Sequence, residues 1–255
     1  ADEFPAMGAP AASRSIKLPR NELRKLMERT QFAMAQQDVR YYLNGMLLHI
    51  SPKRIRAVAT DGHRLALSEL AHETKIKEEA QVIVPRKAVL ELLRLLDNST
   101  EPMELRIGEG QIQVELDTIR LTSKLIDGRF PDYERVIPED GDRQMQAPRE
   151  RVRQALSRTA ILSNEKFRGV RLHLSDNKLK LSTHNPEHEE AEEEVEVSYT
   201  GAALEIGFNV NYLMDALGAM EGDDFTLTLK GPDASGLLQE QKGDHSKYVV
   251  MPMRL

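Results

Sequence analysis

The chain repeats itself. Leu18-Pro19-Arg20-Asn21-Glu22-Leu23 is echoed by Ala147-Pro148-Arg149-Glu150-Arg151-Val152, with Pro-Arg displaced by 129 residues. The apolar positions that follow, Leu23, Leu26, Met27 and Thr30, fall on Val152, Ala155, Leu156 and Thr159 at the same offset. Both sets have the i, i+3, i+4, i+7 spacing of one buried helix face. Proline just ahead of each suits a first helical turn, where a missing N–H costs nothing. At an offset of 124, Leu48-His49-Ile50-Ser51 is followed by Leu172-His173-Leu174-Ser175. Each leads through a turn into an alternating stretch, residues 54–60 and 178–183. The same offset lays Val82-Ile83-Val84 on Ile206-Gly207-Phe208, and the helix face Val89, Leu92, Leu93, Leu96 on Leu213, Ala216, Leu217, Met220. Residues 103–107 and 120–125 correspond in kind to 225–229 and 248–253.

Four correspondences in one order define two copies of a module of about 120 residues. Each reads strand, helix, three strands, helix, three strands. The expected class is α+β, with two pseudo-repeated modules of antiparallel sheets and two helices each. The boundary is expected in the polar, turn-forming Glu139-Asp140-Gly141-Asp142, giving modules at 15–140 and 141–255, with 1–14 outside both. Helices are expected over 20–37, 85–97, 149–163 and 209–220.

What the chain lacks narrows its chemistry. There is no cysteine among its 255 residues, which excludes disulfides, iron–sulfur clusters, cysteine-ligated zinc and thiol nucleophiles. No apolar run approaches the ~18–20 residues of a membrane span. The first residues have neither the basic start nor the apolar core of a signal peptide, and a cytoplasmic location is expected. The glycines form no phosphate loop, and no GxSxG occurs. Asp61 and His63 flank a glycine between two strands, which reads as a hairpin turn before it reads as an acid/base pair. His184 and His188 sit four apart around Asn185-Pro186, which favours a solvated turn over a metal site. Residues 189–197 read as an edge strand whose glutamates block unwanted pairing.

The net charge of −6 speaks against nucleic acid only as an average. The four expected helices carry eleven basic and six acidic side chains, a net of +5, which leaves −11 for the remainder. Equivalent helices of stacked modules tend to share a side, so this partition points to a basic surface able to meet phosphates without reading bases.

Several stretches carry a closer likeness: Gln37 to Gly45, Thr60-Asp61-Gly62-His63-Arg64-Leu65, Asp127 to Tyr133, Leu162 to Gly169, and Tyr248 to Leu255. They resemble, in order, the bacterial sliding-clamp family, the β subunit of DNA polymerase III. That resemblance implies a DNA-clamp fold and a non-catalytic processivity factor that needs no cofactor. The family has three modules per chain, and two chains close a six-module ring. The stretches here match the second and third modules, and Phe4-Pro5 resembles the end of a first.

The resemblance implies double-stranded DNA as a partner, bound without sequence preference. It also implies polymerase subunits, the clamp loader and repair proteins, held through short peptide motifs, and self-association. The implied peptide pocket comprises Leu43, Thr60, Gly62, His63, Arg64, Leu65, Pro131, Arg135, Val136, Asn209, Tyr212, Val249, Val250, Met251, Pro252, Met253 and Arg254. The implied positions near DNA are Gln37, Tyr41, Tyr42, Arg86 and Lys87. Charge and repeat position add Arg24, Arg149, Arg151 and Arg168. Three two-module chains would also make six modules, whereas a chain that stays single would act as an adaptor that binds partner peptides without encircling DNA.

Overall fold

A computed structural model describes residues 14–139, 141–241 and 245–255. The reading of Phe4-Pro5 lies outside them. The chain forms two compact units, one running to Asp61 and resuming over Leu67–Pro131, the other made of Gly62–Ala66 and Asp132–Leu255.

The first unit runs β1 (Arg14–Pro19), α1 (Arg20–Glu28), β2 (Gly45–Ser51), β3 (Arg54–Thr60), β4 (Arg64–Ala71), β5 (Ala80–Pro85), α2 (Arg86–Leu95), β6 (Pro102–Gly108), β7 (Gln111–Leu116) and β8 (Ile119–Lys124). Its strands lie in the orders β1-β6-β7-β8 and β4-β3-β2-β5. The second runs β9 (Arg143–Pro148), α3 (Arg149–Thr159), β10 (Gly169–Ser175), β11 (Lys178–His184), β12 (Glu190–Glu196), β13 (Ser198–Thr200), β14 (Leu204–Asn209), α4 (Val210–Ala219), β15 (Asp224–Leu229), β16 (Gly236–Glu240) and β17 (Lys247–Val250). Its orders are β13-β9-β15-β16-β17 and β12-β11-β10-β14. Strand by strand the two units correspond, and β13 is the one addition.

The repeated helix faces are the repeated cores. Leu23, Leu26 and Met27 of α1 are buried, as are Val152, Ala155 and Leu156 of α3. The Thr30 hydroxyl donates to the Leu26 carbonyl at 2.7 Å, and the Thr159 hydroxyl to the Ala155 carbonyl at 2.8 Å. The equivalence extends to the backbone: the Arg20 N–H donates to the Glu101 carbonyl at 3.1 Å, and the Arg149 N–H to the Asp223 carbonyl at 2.8 Å. In both units, proline precedes the first helix, as the sequence implied.

Five expectations need correction. Between the helices of each unit stand four strands rather than three, with β13 a fifth in the second. The first helix stops at Glu28 and not near residue 37. Thr30 bonds back onto the last turn, a 3₁₀ turn follows at Gln31–Ala33, and Gln37 takes a left-handed φ of 56°. The third helix ends at Thr159, with a 3₁₀ turn over Ala160–Leu162. Arg14, placed outside both copies, opens β1, and β17 ends at Val250 rather than continuing to Met253.

The edge strand and turn behave as their composition requires. β12 is the outer strand of its sheet, with Glu192 and Glu194 paired to Lys180 and Lys178. Asn185 and Glu189 close the turn before it. Among the described residues no helix is long and apolar enough to cross a membrane.

Candidate peptide site and basic helix face

The tip joining β3 to β4 is tight because Gly62 adopts a φ of 90°, open to glycine at little cost. It presents His63 and Arg64. The Arg64 guanidinium lies 4.5 Å over the Tyr212 ring and pairs with the Asp215 carboxylate one turn further along α4. The His63 ring stacks on the same tyrosine with centroids 6.5 Å apart and planes 22° off parallel. Tyr212 is held in place by the helix start: Asn209 Oδ1 accepts from the Asn211 N–H at 2.9 Å, and Asn209 Nδ2 donates to the Phe167 carbonyl at 3.3 Å.

Segment 251–255 joins this cluster through its main chain. The Met251 N–H donates to the His63 carbonyl, and the Met253 N–H to the Gly207 carbonyl, both at 2.9 Å. Met251 is 47% exposed, Phe167 54% and Val136 44%, so the second unit offers large apolar side chains to solvent. Pro252 and Met253 are half-buried, and Arg254 is exposed.

The other pocket residues divide by burial and unit. Leu65, Val249 and Val250 are core residues, each under 4% exposed, and β17 carries the last two. Arg135 is exposed and pairs with Asp132 at 2.9 Å. Leu43, Thr60 and Pro131 belong to the first unit, where Leu43 is buried, Thr60 ends β3, and Pro131 is exposed. The sequence reading missed Phe167, Asp215 and Leu255. An acid on an otherwise uncharged helix was the available signal for Asp215.

The basic residues separate into those engaged within the chain and those left open. The observed helices hold ten basic and five acidic side chains, again +5. Arg24 donates to the Leu93 carbonyl at 3.2 Å and to that of Leu96, and pairs with Glu28. Arg149 donates to the Gly222 and Leu217 carbonyls at 2.7 and 3.1 Å. These two guanidinium groups therefore satisfy carbonyls at the C-terminal ends of α2 and α4, which otherwise lack partners. Arg168 reaches the Ser163 hydroxyl at 3.4 Å and holds a left-handed φ of 49°. Arg151 is exposed.

Around the start of α2 the first unit gathers a different set. The Arg86 N–H donates to the Asn44 carbonyl at 3.0 Å, which ties α2 to the 3₁₀ turn Tyr41–Leu43. Tyr41 is 57% exposed, with its ring edge-on to Tyr42 at 5.9 Å. Gln37 and Lys87 are exposed. Arg86 Nη1 is buried without a hydrogen-bond partner among the described residues. The first turn of α2 has no acidic residue, so its two cations stand at the positive end of the helix dipole, where cations are unfavourable.

No group of three or more His, Asp or Glu side chains among the described residues is placed to hold a metal ion. Two repeated units, each with antiparallel sheets and a helix pair, form the architecture of a DNA clamp. Residues 17–132 match the central domain of the DNA polymerase III β subunit, and 134–254 match its C-terminal domain. The chain is 52% identical to the β sliding clamp of Pseudomonas putida and 46% identical to that of Escherichia coli; all of it aligns, with 70% and 69% of those proteins. A crystal structure of the Pseudomonas aeruginosa clamp with a ligand superposes over the whole chain and 70% of its own, at 50% identity and a TM-score of 0.97. Another structure of that clamp is bound to griselimycin, with a TM-score of 0.94. The chain belongs to the bacterial β sliding clamp family, whose members are non-catalytic processivity factors.

Proposed function

We propose that the chain rides on double-stranded DNA without reading its sequence and tethers polymerase subunits, the clamp loader and repair proteins through short peptide motifs, in the cytoplasm. The observation that carries the DNA half is the start of α2. Arg86 and Lys87 sit where they oppose the helix dipole, with no acidic residue in the first turn. A phosphate resolves this, since it neutralises the cations and accepts from the helix end. Tyr41 and Tyr42, on the turn bonded to that helix start, and Gln37 just before it are the proposed neighbours of DNA in the first unit; Arg151 and Arg168 are the proposed contacts in the second.

The peptide half is supported by the cluster of His63, Arg64 and Tyr212 beside segment 251–255. Main-chain groups and a charged pair give orientation there, and methionine adapts to varied apolar side chains. Gly62, Leu65, Arg135, Val136 and Asn209, all of the second unit, complete the proposed pocket.

The test pairs two measurements. A synthetic peptide ending in Leu-Leu-Phe is expected to bind with a Kd on the order of micromolar by calorimetry. Retention on closed circular DNA, compared with the same DNA linearised, reads encirclement: loss on linearisation marks a closed ring, and equal weak binding marks an adaptor. Sedimentation over a wide concentration range measures the self-association a ring requires.

A further inference from the structure

Gly169 and Gly207 lie on the adjacent strands β10 and β14, on one face of the sheet, where Gly169 stands opposite Asn209 and Gly207 opposite Arg171. Neither adopts the left-handed φ that favours glycine. Glycine within a strand weakens it, so two on neighbouring strands call for another reason. The reason is occupied space. A Cβ on Gly169 would stand 2.2 Å from Leu255 Cδ2, and all three of its nearest neighbours would be Leu255 atoms. A Cβ on Gly207 would stand 2.5 Å from the Met253 carbonyl oxygen and 2.9 Å from Leu255.

Leu255 therefore rests in a notch floored by two glycines. Arg171 closes it, donating to the Leu255 main-chain oxygen at 3.0 Å while pairing with Glu205 at 3.3 Å. Beyond Leu255 the surface opens into a cavity of about 500 Å³ between segment 253–255 and residues 182–192. Leu255 itself remains 44% exposed. The segment is thus supported from the glycine side.

We infer that the Gly169–Gly207 notch is the seat that positions segment 251–255, and that seating Leu255 there sets how tightly a partner peptide binds; this rests on the peptide-pocket reading above. The two ends of the segment are linked. Met251 is bonded to the hairpin tip that carries His63, and Met253 to Gly207. Lifting Leu255 frees Met253, and with it the wall against which an apolar side chain would pack. Gly169 and Gly207 act through Leu255 and are positioning residues.

The experiment uses the full chain and three variants: Gly169→Ala, Leu255→Ala and the pair together. Hydrogen exchange at the Met253 amide reports seating, and calorimetry with the Leu-Leu-Phe peptide reports binding. Gly169→Ala is expected to speed Met253 exchange and weaken the peptide about tenfold, with exchange across β10 and β11 unchanged. Leu255→Ala, at a half-exposed position with little bearing on folding, is expected to give the same losses. The double variant should be no worse than either single, because both remove one interaction. Unchanged Met253 exchange in both single variants overturns the seat, and so do losses that add. If the unaltered chain fails to bind the peptide, the pocket reading falls, while the exchange measurement still decides the seat.

Discussion

The starts of α2 and α4 occupy the same place in the two repeats and have come to hold opposite things. In each, the first helical N–H donates to the carbonyl 42 residues earlier: Arg86 to Asn44, and Val210 to Arg168. The following side chains diverge. α2 begins Arg86-Lys87 with no acid nearby, and α4 begins Val210-Asn211 under an Asn209 cap, with Tyr212 and Asp215 gripping Arg64. The backbone device is common property, and the chemistry is set by what the first two turns display. On the proposed reading, the repeat divides its labour between phosphate and peptide with its frame unaltered.

The severest test of that division is to remove segment 251–255. Peptide affinity is expected to fall by more than about a hundredfold, since the pocket loses a wall and two main-chain links. β17 ends at Val250, so circular dichroism should be unchanged, and so should DNA retention. If DNA binding falls equally, the two functions are not divided between the two helix starts. The converse variant, Arg86→Glu with Lys87→Glu, is expected to weaken DNA binding for every sequence alike and flatten its log–log salt slope by about 2, leaving peptide affinity intact. A loss confined to one DNA sequence would contradict backbone contact.

Arg149→Ala sharpens the comparison from another direction. Its guanidinium closes the end of α4, so the expected effect is a stability loss of about 1–3 kcal/mol in denaturant unfolding, larger than any change in DNA affinity. Arg24→Ala should do the same at the end of α2.

The smallest effect is a pH dependence seated on β6 of the first unit. Glu104 on β6 is held down to about 2, first by the paired hydrogen bonds from Arg106 and then by the Ser15 hydroxyl. A lowered carboxylate pKa stabilises the fold above its ordinary value of 4.5, and that contribution fades as pH falls toward 2. Glu104→Gln should therefore lower the melting temperature at pH 7, with the gap closing between those two values. The corresponding residue of the second unit is Thr226, and Thr226→Val should show no such pH dependence.

Much of this frame was legible from spacing alone, because a buried helix face and an alternating strand have different periods. The strand that escaped the repeat count explains itself. β4 is apolar and largely buried, while its counterpart β12 is an exposed edge built of glutamate, so the two share a place and no pattern. The overlong first helix was misread because Gln31 to Gln37 contains good helix formers, and the stop comes from a hydroxyl turning back on the backbone. That Arg24 and Arg149, expected near DNA, hold main-chain carbonyls was not legible, because those acceptors lie about 70 residues away in sequence. A still longer separation hid Asp215, whose partner is 151 residues earlier. Hydrophobic pattern is local, whereas the destination of a long cationic side chain is decided by tertiary structure.

The pairing of β1 with β6, and of β9 with β15, also bears on how the chain acquires its shape during synthesis. Arg14 meets Ile107 and Pro19 meets Pro102, so β1 waits for more than 80 residues before its ladder can form, whereas β9 gains an earlier partner in β13, where Gln146 meets Ser198. Closing such a loop is costly and slow compared with folding a local hairpin such as β2–β3. On the ribosome, the first unit must be almost wholly extruded before its first strand is covered. Until then β1 is an unsatisfied edge, and that interval is when the nascent chain is most exposed to mispairing.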